Sequence, residues 1–286
     1  MYFVDNGNYR IRQVNNALSK FTASDFIVPS EDGGVLYHFD ENGQHLKTTH
    51  ALTGAALLKV SYNIDGSLKS LTDENNLTTT IERNTAGKPV AIVSPYGQRT
   101  AITLDTAGYV ASLTNPAGEV QSLTYTSTGL LTTLKDARQS QKQYTYTSDG
   151  RLMTSVDAAG GGRTLRRTEL ANGYEVLTTT AENEKTHYRL ESIPTSGVRS
   201  TQIDAAGLTT VTSDGYDGKV TTTTPDGTVI YVVSHPDPQY GMLAAVATTT
   251  ATTPGRVKSV VSHTRTITQI DGQAVVDTAN FLYFLS

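Results

Sequence analysis

Apolar and polar residues alternate along much of this chain. The strictest stretches are Val60-Ser61-Tyr62, Ile102-Thr103-Leu104, Leu123-Thr124-Tyr125 and Tyr144-Thr145-Tyr146, with Ile81-Glu82-Arg83 as a degenerate copy. Each triplet ends four residues before a glycine, and those glycines, Gly66, Gly87, Gly108, Gly129 and Gly150, are 21 residues apart. A period of two predicts a strand with one buried face. After the glycine come Leu68, Val110, Leu131 and Leu152 at plus two, then Leu71, Ile92, Leu113 and Leu134 at plus five. A spacing of three breaks the alternation and predicts a bulge or twist there. Pro89 takes the plus-two place in the second unit, where it cannot sit easily in a central ladder.

A second turn signal falls seven residues after each glycine, at Asp73, Ser94, Asn115, Asp136 and Asp157. Asn76, Gly97, Gly118, Gln139 and Gly160 follow at plus ten. Each unit therefore holds two turns about ten residues apart. Glycine supplies positive φ, and Asp or Asn can bond the backbone just ahead of it. Gly43 precedes Gly66 by 23 residues, so the register is looser there. Further on, Asn172-Gly173, Asp214-Gly215, Asp226-Gly227 and Asp271-Gly272 continue the style without a fixed period. Only "NALSK" (16–20) and "GMLAAVA" (241–247) admit a helix.

The expected fold is all-β, an antiparallel meander of hairpins. About 20 strands in a flat sheet would be about 95 Å wide, and open sheets rarely exceed about ten strands. The sheet is expected to curl into a spiralled, partly open β-shell or barrel. Val60, Ile81, Ile102, Leu123 and Tyr144 are expected on its buried face.

Composition supports this picture. Of 286 residues, 37% are hydrophobic and 17% charged, both below the usual globular share. Thr, Gly, Ser, Asn and Asp fill the difference, as strand surfaces and turns require. The net charge is -4 with both signs interspersed, which argues against nucleic acid and membrane-surface partners. No apolar run approaches the roughly 20 residues of a helical span, and the first residues, "MYFVDNGNYRIRQV", show no signal peptide. The absence of Cys removes disulfides, thiol nucleophiles and thiolate metal sites.

Candidate chemistry is sparse. His38, His45 and His50 lie near Asp40 and Glu41, but a metal site needs them convergent; a solvated ribbon is expected. His187, His235 and His263 are scattered, with no acid at a recognisable spacing. The Gly-x-Ser-x-Gly, Gly-x-x-x-x-Gly-Lys and His-Glu-x-x-His motifs are missing from the sequence. "AAGGGRT" (158–164) reads as a flexible turn, and "DENG" (40–43) and "DENN" (73–76) as turns rather than calcium loops. Asn76-Leu77-Thr78 is a glycosylation sequon, and "TTTT" (221–224) and "TTTATT" (248–253) read as solvent-face strand residues. No catalytic residue, cofactor or metal is expected. The apolar run Phe281 to Leu285 loses the alternation, so a strand there is expected to bury both faces or need a partner.

At "YNIDGSLKSLTD" (62–73), "YTSDGRLMTSVD" (146–157) and the degenerate "LDTAGYVASLTN" (104–115), the chain resembles the Rhs/YD-repeat family, which includes the teneurin ectodomains. The matching positions are Tyr62, Gly66, Leu68, Asp73, Gly87, Gly108, Tyr125, Gly129, Asp136, Tyr146, Gly150, Leu152 and Asp157. Residues 2–14 resemble the tail of an NHL-type propeller repeat, and residues 33–62 the lead-in to a YD shell. The resemblance implies four parts: 1–20 repeat tail and linker, 21–61 lead-in, 62–162 regular repeats, 163–286 a degenerate continuation. It implies a non-catalytic wall module of a secreted or cell-surface protein, enclosing or presenting a C-terminal toxin or effector. The expected partner is the rest of a larger polypeptide or its toxin cargo. The alternative is an extracellular adhesion or carbohydrate-binding module whose partner is a cell-surface glycan or protein. The Arg/Tyr-rich core motif that closes such shells in the family is not found in this sequence.

Overall fold

The computed structural model describes residues 2–5, 10–13, 26–194, 197–270 and 273–285, with side chains described within 26–266. "NALSK" and Asp271-Gly272 lie outside these. Among the described residues there are 25 strands and no helix. Contacts divide the chain into two compact units, one of residues 1–77, 232–250 and 257–286, the other of 78–231 and 251–256.

In the first unit β1 (Tyr2–Asp5) and β2 (Arg10–Gln13) form a hairpin. Then β3 (Phe26–Pro29), β4 (Val35–Phe39), β5 (His45–His50), β6 (Ala56–Tyr62) and β7 (Leu68–Asp73) pair antiparallel in chain order. The second unit is also a meander. It runs through β8 (Thr78–Arg83), β9 (Pro89–Val93), β10 (Arg99–Leu104), β11 (Val110–Thr114), β12 (Val120–Tyr125), β13 (Leu131–Lys135), β14 (Gln141–Tyr146) and β15 (Leu152–Val156). It goes on through β16 (Gly162–Leu170), β17 (Gly173–Thr180), β18 (Lys185–Ile193), β19 (Gly197–Ile203), β20 (Thr209–Asp214) and β21 (Lys219–Thr223). Every consecutive pair from β8 to β21 is antiparallel. Strand β22 (Val229–Asp237) begins in the second unit and ends in the first; β23 (Gly241–Thr252) lies mostly in the first, where β24 (Lys258–Ile270) pairs along its full length with β25 (Gln273–Leu285). The all-β antiparallel meander expected from the periodicity is the observed fold.

The bulge falls where the spacing predicts it. Register shifts follow Ser61, Glu82, Thr103, Thr124 and Thr145. In each case the residue opposite is skipped at glycine plus three: Lys69, Val90, Ala111, Thr132 and Met153. That extra residue returns plus two and plus five to one face. It also accommodates Pro89, which sits opposite Arg83 at the shift.

Both turns of each unit share one geometry. The amide of the fourth turn residue donates to the carbonyl of the first, as from Gly108 to Asp105 and from Gly118 to Asn115. That fourth residue has positive φ, including the non-glycines Asn76 (62°) and Gln139 (69°). At several turns the first residue is Asp or Asn, and its side-chain oxygen accepts two further amides. Asp73 takes those of Asn75 and Leu77, Asp136 those of Arg138 and Ser140, and Asp157 those of Ala159 and Gly161. The aspartate of the repeat is thus a turn cap. "DENG" works the same way, since Asp40 Oδ1 accepts from Asn42 and Gln44.

Three expectations need correction. "GMLAAVA" is the start of β23, not a helix. Its Ala244 is fully buried and lies 3.4 Å from where a Cβ on Gly33 would stand, so the small residue serves close packing. The turn at Asp214-Gly215 lies one step later, spanning Gly215–Gly218. The third concerns depth. Val60, Ile81, Ile102, Leu123 and Tyr144 are half-buried rather than buried. Across the ladder they meet the apolar residues at plus five: Val60 lies opposite Leu71, Ile81 opposite Ile92, Ile102 opposite Leu113, and Leu123 opposite Leu134. Among the described residues only Ala91 and Ala244 are fully buried apolar side chains, and Ile92 and Leu152 are 38% exposed. Within a run of sheet, one neighbouring strand on each side shields a side chain only partly.

Candidate functional site

Two faces can be followed through the second unit by register alone. Face A carries Ile102, Leu113, Leu123, Leu134 and Tyr144. It continues through Ser155, Arg163 and Thr180, and so through Val176 and Tyr174. Face B carries the alternate residues. At three of its bulges hydroxyls pair, Thr103 with Ser112 at 2.6 Å, Thr124 with Thr132 at 2.9 Å and Thr145 with Thr154 at 2.6 Å.

The repeat tyrosines have a role that alternation does not reveal. Tyr125 Oη donates to the carbonyl of Val110 (3.0 Å) and Tyr146 Oη to that of Leu131 (2.7 Å). In the first unit Tyr62 Oη donates to His45 (3.0 Å). Each acceptor is the plus-two residue of the preceding copy, counted from Gly108, Gly129 and Gly43. The hydroxyl reaches back across one hairpin and staples it to the next. Burial, then the Asp105 charge, raises the pKa of the Tyr125 hydroxyl. Tyr109 stacks on Tyr125 with ring centroids 5.1 Å apart, and a Cβ on Gly129 would stand 2.6 Å from the Tyr109 hydroxyl. The remaining repeat glycines, Gly66, Gly87, Gly108 and Gly150, hold positive-φ turn positions, and Leu68 and Leu152 follow at plus two in β7 and β15.

The three early histidines do not converge. His38 Nε2 meets Thr49 Oγ1 and His45 Nε2 meets Thr48 Oγ1, both at 3.0 Å, while His50 Nδ1 accepts from Leu52. Among the described residues no group of three metal-binding side chains comes together. The later histidines hold one surprise. His187 Nδ1 lies 3.0 Å from Glu175 Oε1 on face B, twelve residues away in sequence, a spacing set only by the length of the β17–β18 hairpin. On face A, Arg167 stacks 3.5 Å over Tyr174 and is held by Glu169, which also meets Arg151.

A buried ionic node lies in the first unit. Asp237, with a side chain 3% exposed, accepts Arg265 Nη1 at 3.0 Å on one oxygen and the amides of Gln239 (2.7 Å) and Tyr240 (2.8 Å) on the other. Arg265 Nη2 donates to the carbonyl of Asp32. A Cβ on Gly33 would stand 2.3 Å from Arg265 Nη1, so this glycine makes room for the guanidinium. The node floors a cavity of about 260 Å³ lined by Gly33, His50, Leu52, Tyr240 and Arg265. Burial, and after it Asp237, pushes the Tyr240 hydroxyl pKa up.

These arrangements cap turns, join hairpins and tie Asp32, Asp237 and Arg265 together; none lines up a nucleophile, base and oxyanion donor as catalysis requires. The geometry defines a class of protein, a repeat-built β wall whose recurrent side chains serve the wall. The Teneurin YD-shell family model matches residues 24–283, and the chain belongs to that family. It is similar to Teneurin-4 of Mus musculus, 34% identical over 99 residues, and to Teneurin-1 of Gallus gallus, 31% identical over 99 residues. Each match covers 34% of this chain and 4% of the relative. Among solved structures, the crystal structure of TcdB2-TccC3 aligns with 92% of this chain and 20% of its own, at 11% identity and a TM-score of 0.35.

Proposed function

We propose that this chain is a non-catalytic wall module of a secreted or cell-surface YD-repeat protein, and that face A encloses or presents a C-terminal effector segment of the same polypeptide. The observation that carries this reading is the half-exposed apolar row of face A, Ile102, Leu113, Leu123, Leu134 and Tyr144. Apolar surface left open to water is costly, and a row kept in register over successive repeats suits a wall that faces other chain. The chain spans a small fraction of the teneurins it matches, so its working context is a larger polypeptide. The division into a repeat tail (1–20), lead-in (21–61), regular repeats (62–162) and degenerate continuation (163–286) is part of the same proposal.

The test uses the native polypeptide that contains this module. Under limited proteolysis, the segment that follows the module should be cut at least about tenfold more slowly than the same segment expressed alone. Equal rates would refute enclosure.

A further inference from the structure

Face B of the second unit carries a patch that neither the turns nor the staples use. Strands β17 to β20 set it out in cross-strand rows. Glu191, Arg199 and Ser213 form one, Glu175, Arg189, Thr201 and Val211 the next, and Leu177, His187 and Ile203 the third. The charges are matched unevenly. Glu191 stands directly opposite Arg199, yet its carboxylate takes Arg189 Nη2 at 2.8 Å and is only 15% exposed. Glu175 takes His187 Nδ1. Arg199 is exposed and has no ion pair among the described residues. The groove between these side chains is about 310 Å³, with Thr201, Ser213, Ile203 and Val211 completing its lining.

This combination selects a ligand chemistry. A planar guanidinium with open donors fits a carboxylate in a two-pronged hydrogen bond. The carboxylates of Glu175 and Glu191 keep acceptor capacity beyond their present bonds, and Thr201 and Ser213 both donate and accept. Ile203 and Val211 offer a small apolar strip. A free carboxylate alone would leave the acceptors idle, and a neutral sugar would leave Arg199 idle. A pyranose ring bearing a carboxylate uses all of them, with its C–H face on the apolar strip. The volume lies at the lower end of the roughly 300–1,000 Å³ usual for ligand sites, room for one ring. We infer that this groove binds a hexuronate unit of an acidic polysaccharide. The inference concerns the face opposite to the one proposed to meet an effector, and does not depend on that proposal.

Isothermal titration of the full chain with tri-galacturonate tests it, with galactotriose as the neutral match and triglutamate as a peptide carboxylate. Tri-galacturonate should bind, and both controls should bind at least about tenfold more weakly. Arg199→Gln should weaken tri-galacturonate by about tenfold or more, the loss expected of one charge-assisted contact at an exposed site. Its melting temperature should match the parent, because Arg199 is exposed and has no ion pair among the described residues. Arg163→Gln, a change on face A, should bind as the parent does. Absence of tri-galacturonate binding, unchanged binding by Arg199→Gln, or equal loss in Arg163→Gln would overturn the assignment. Triglutamate binding as tightly as tri-galacturonate would overturn the sugar and leave a peptide site.

Discussion

Turn positions show how the same residue type carries different constraints. Gly118 and Gln139 occupy equivalent places in successive copies, with φ of 81° and 69°. A Cβ on Gly118 would meet nothing within 4 Å, so the cost of a side chain there is backbone strain alone. An L-residue in the left-handed region costs about 1–2 kcal/mol, partly offset by the freedom that glycine loses on folding. Gln139→Gly should therefore raise stability by about 0.5–1 kcal/mol, and Gly118→Ala should lower it by about as much. Urea melts of the two variants provide the check; a destabilised Gln139→Gly would mean its side chain makes a contact that outweighs the strain.

A second residue-scale motif recurs at Ser30-x-Asp32-Gly33, Thr147-x-Asp149-Gly150 and Thr224-x-Asp226-Gly227. In each, the hydroxyl of the first residue donates to the aspartate. That bond is the main reason all three carboxyl pKa values are lowered; backbone amides of Gly34 and Thr228 add to it at Asp32 and Asp226. A lowered folded pKa stabilises the protein above the unfolded value, about 3.9, and that contribution is lost as pH falls through the folded value. Thr224→Val should move the Asp226 titration up toward an ordinary aspartate in an NMR pH series. An unmoved midpoint would show that the amide bonds alone set it. In the sequence Asp226-Gly227 reads as a turn pair and Gly150 as a repeat glycine, while Asp32-Gly33 carries no signal of its own. The hydroxyl at the first position was ordinary Ser or Thr until its geometry was known.

At the scale of the element, the hairpin was the most legible part of the sequence. Alternation marks Ile102 and Leu123 as one-face strand residues, the three-residue gap marks the irregularity, and the ladder sets Ile102 opposite Leu113 and Leu123 opposite Leu134. The staple was not legible, because a tyrosine four residues before a glycine reads simply as an apolar strand residue. Its partner is a backbone carbonyl, which leaves no mark in the side-chain pattern. Tyr125→Phe and Tyr146→Phe should each cost about 0.5–1.5 kcal/mol, the worth of one hydrogen bond. Tyr144→Phe is the control, since its hydroxyl has no hydrogen bond among the described residues. Equal effects at all three sites would discount the staple. Ile102→Asp belongs at this scale too. Half-buried and opposite Leu113, it should cost about 1–3 kcal/mol, less than a fully enclosed position would exact.

For the whole molecule, sequence reading succeeded where contacts repeat and failed where they are made once. The 21-residue period announces the regular repeats, and its own repetition is the signal. The node of Asp32, Asp237 and Arg265 joins residues 233 positions apart and has no second copy to reveal it. The Glu175–His187 pair is likewise single. The node also yields the sharpest stability prediction. Removing Arg265 leaves the Asp237 carboxylate buried against its two amides without a counter-charge, and breaking a buried pair from one side costs about 3–5 kcal/mol. Arg265→Met should lose about that much in a urea melt. Arg265→Met with Asp237→Asn should recover part of it, because the neutral amide oxygen still accepts from Gln239 and Tyr240. Gly33→Ala should fall between, since it forces the guanidinium aside and adds strain at φ of 64°. If the double variant is no more stable than Arg265→Met, the guanidinium acts by tying Asp32 to β24 rather than by neutralising Asp237.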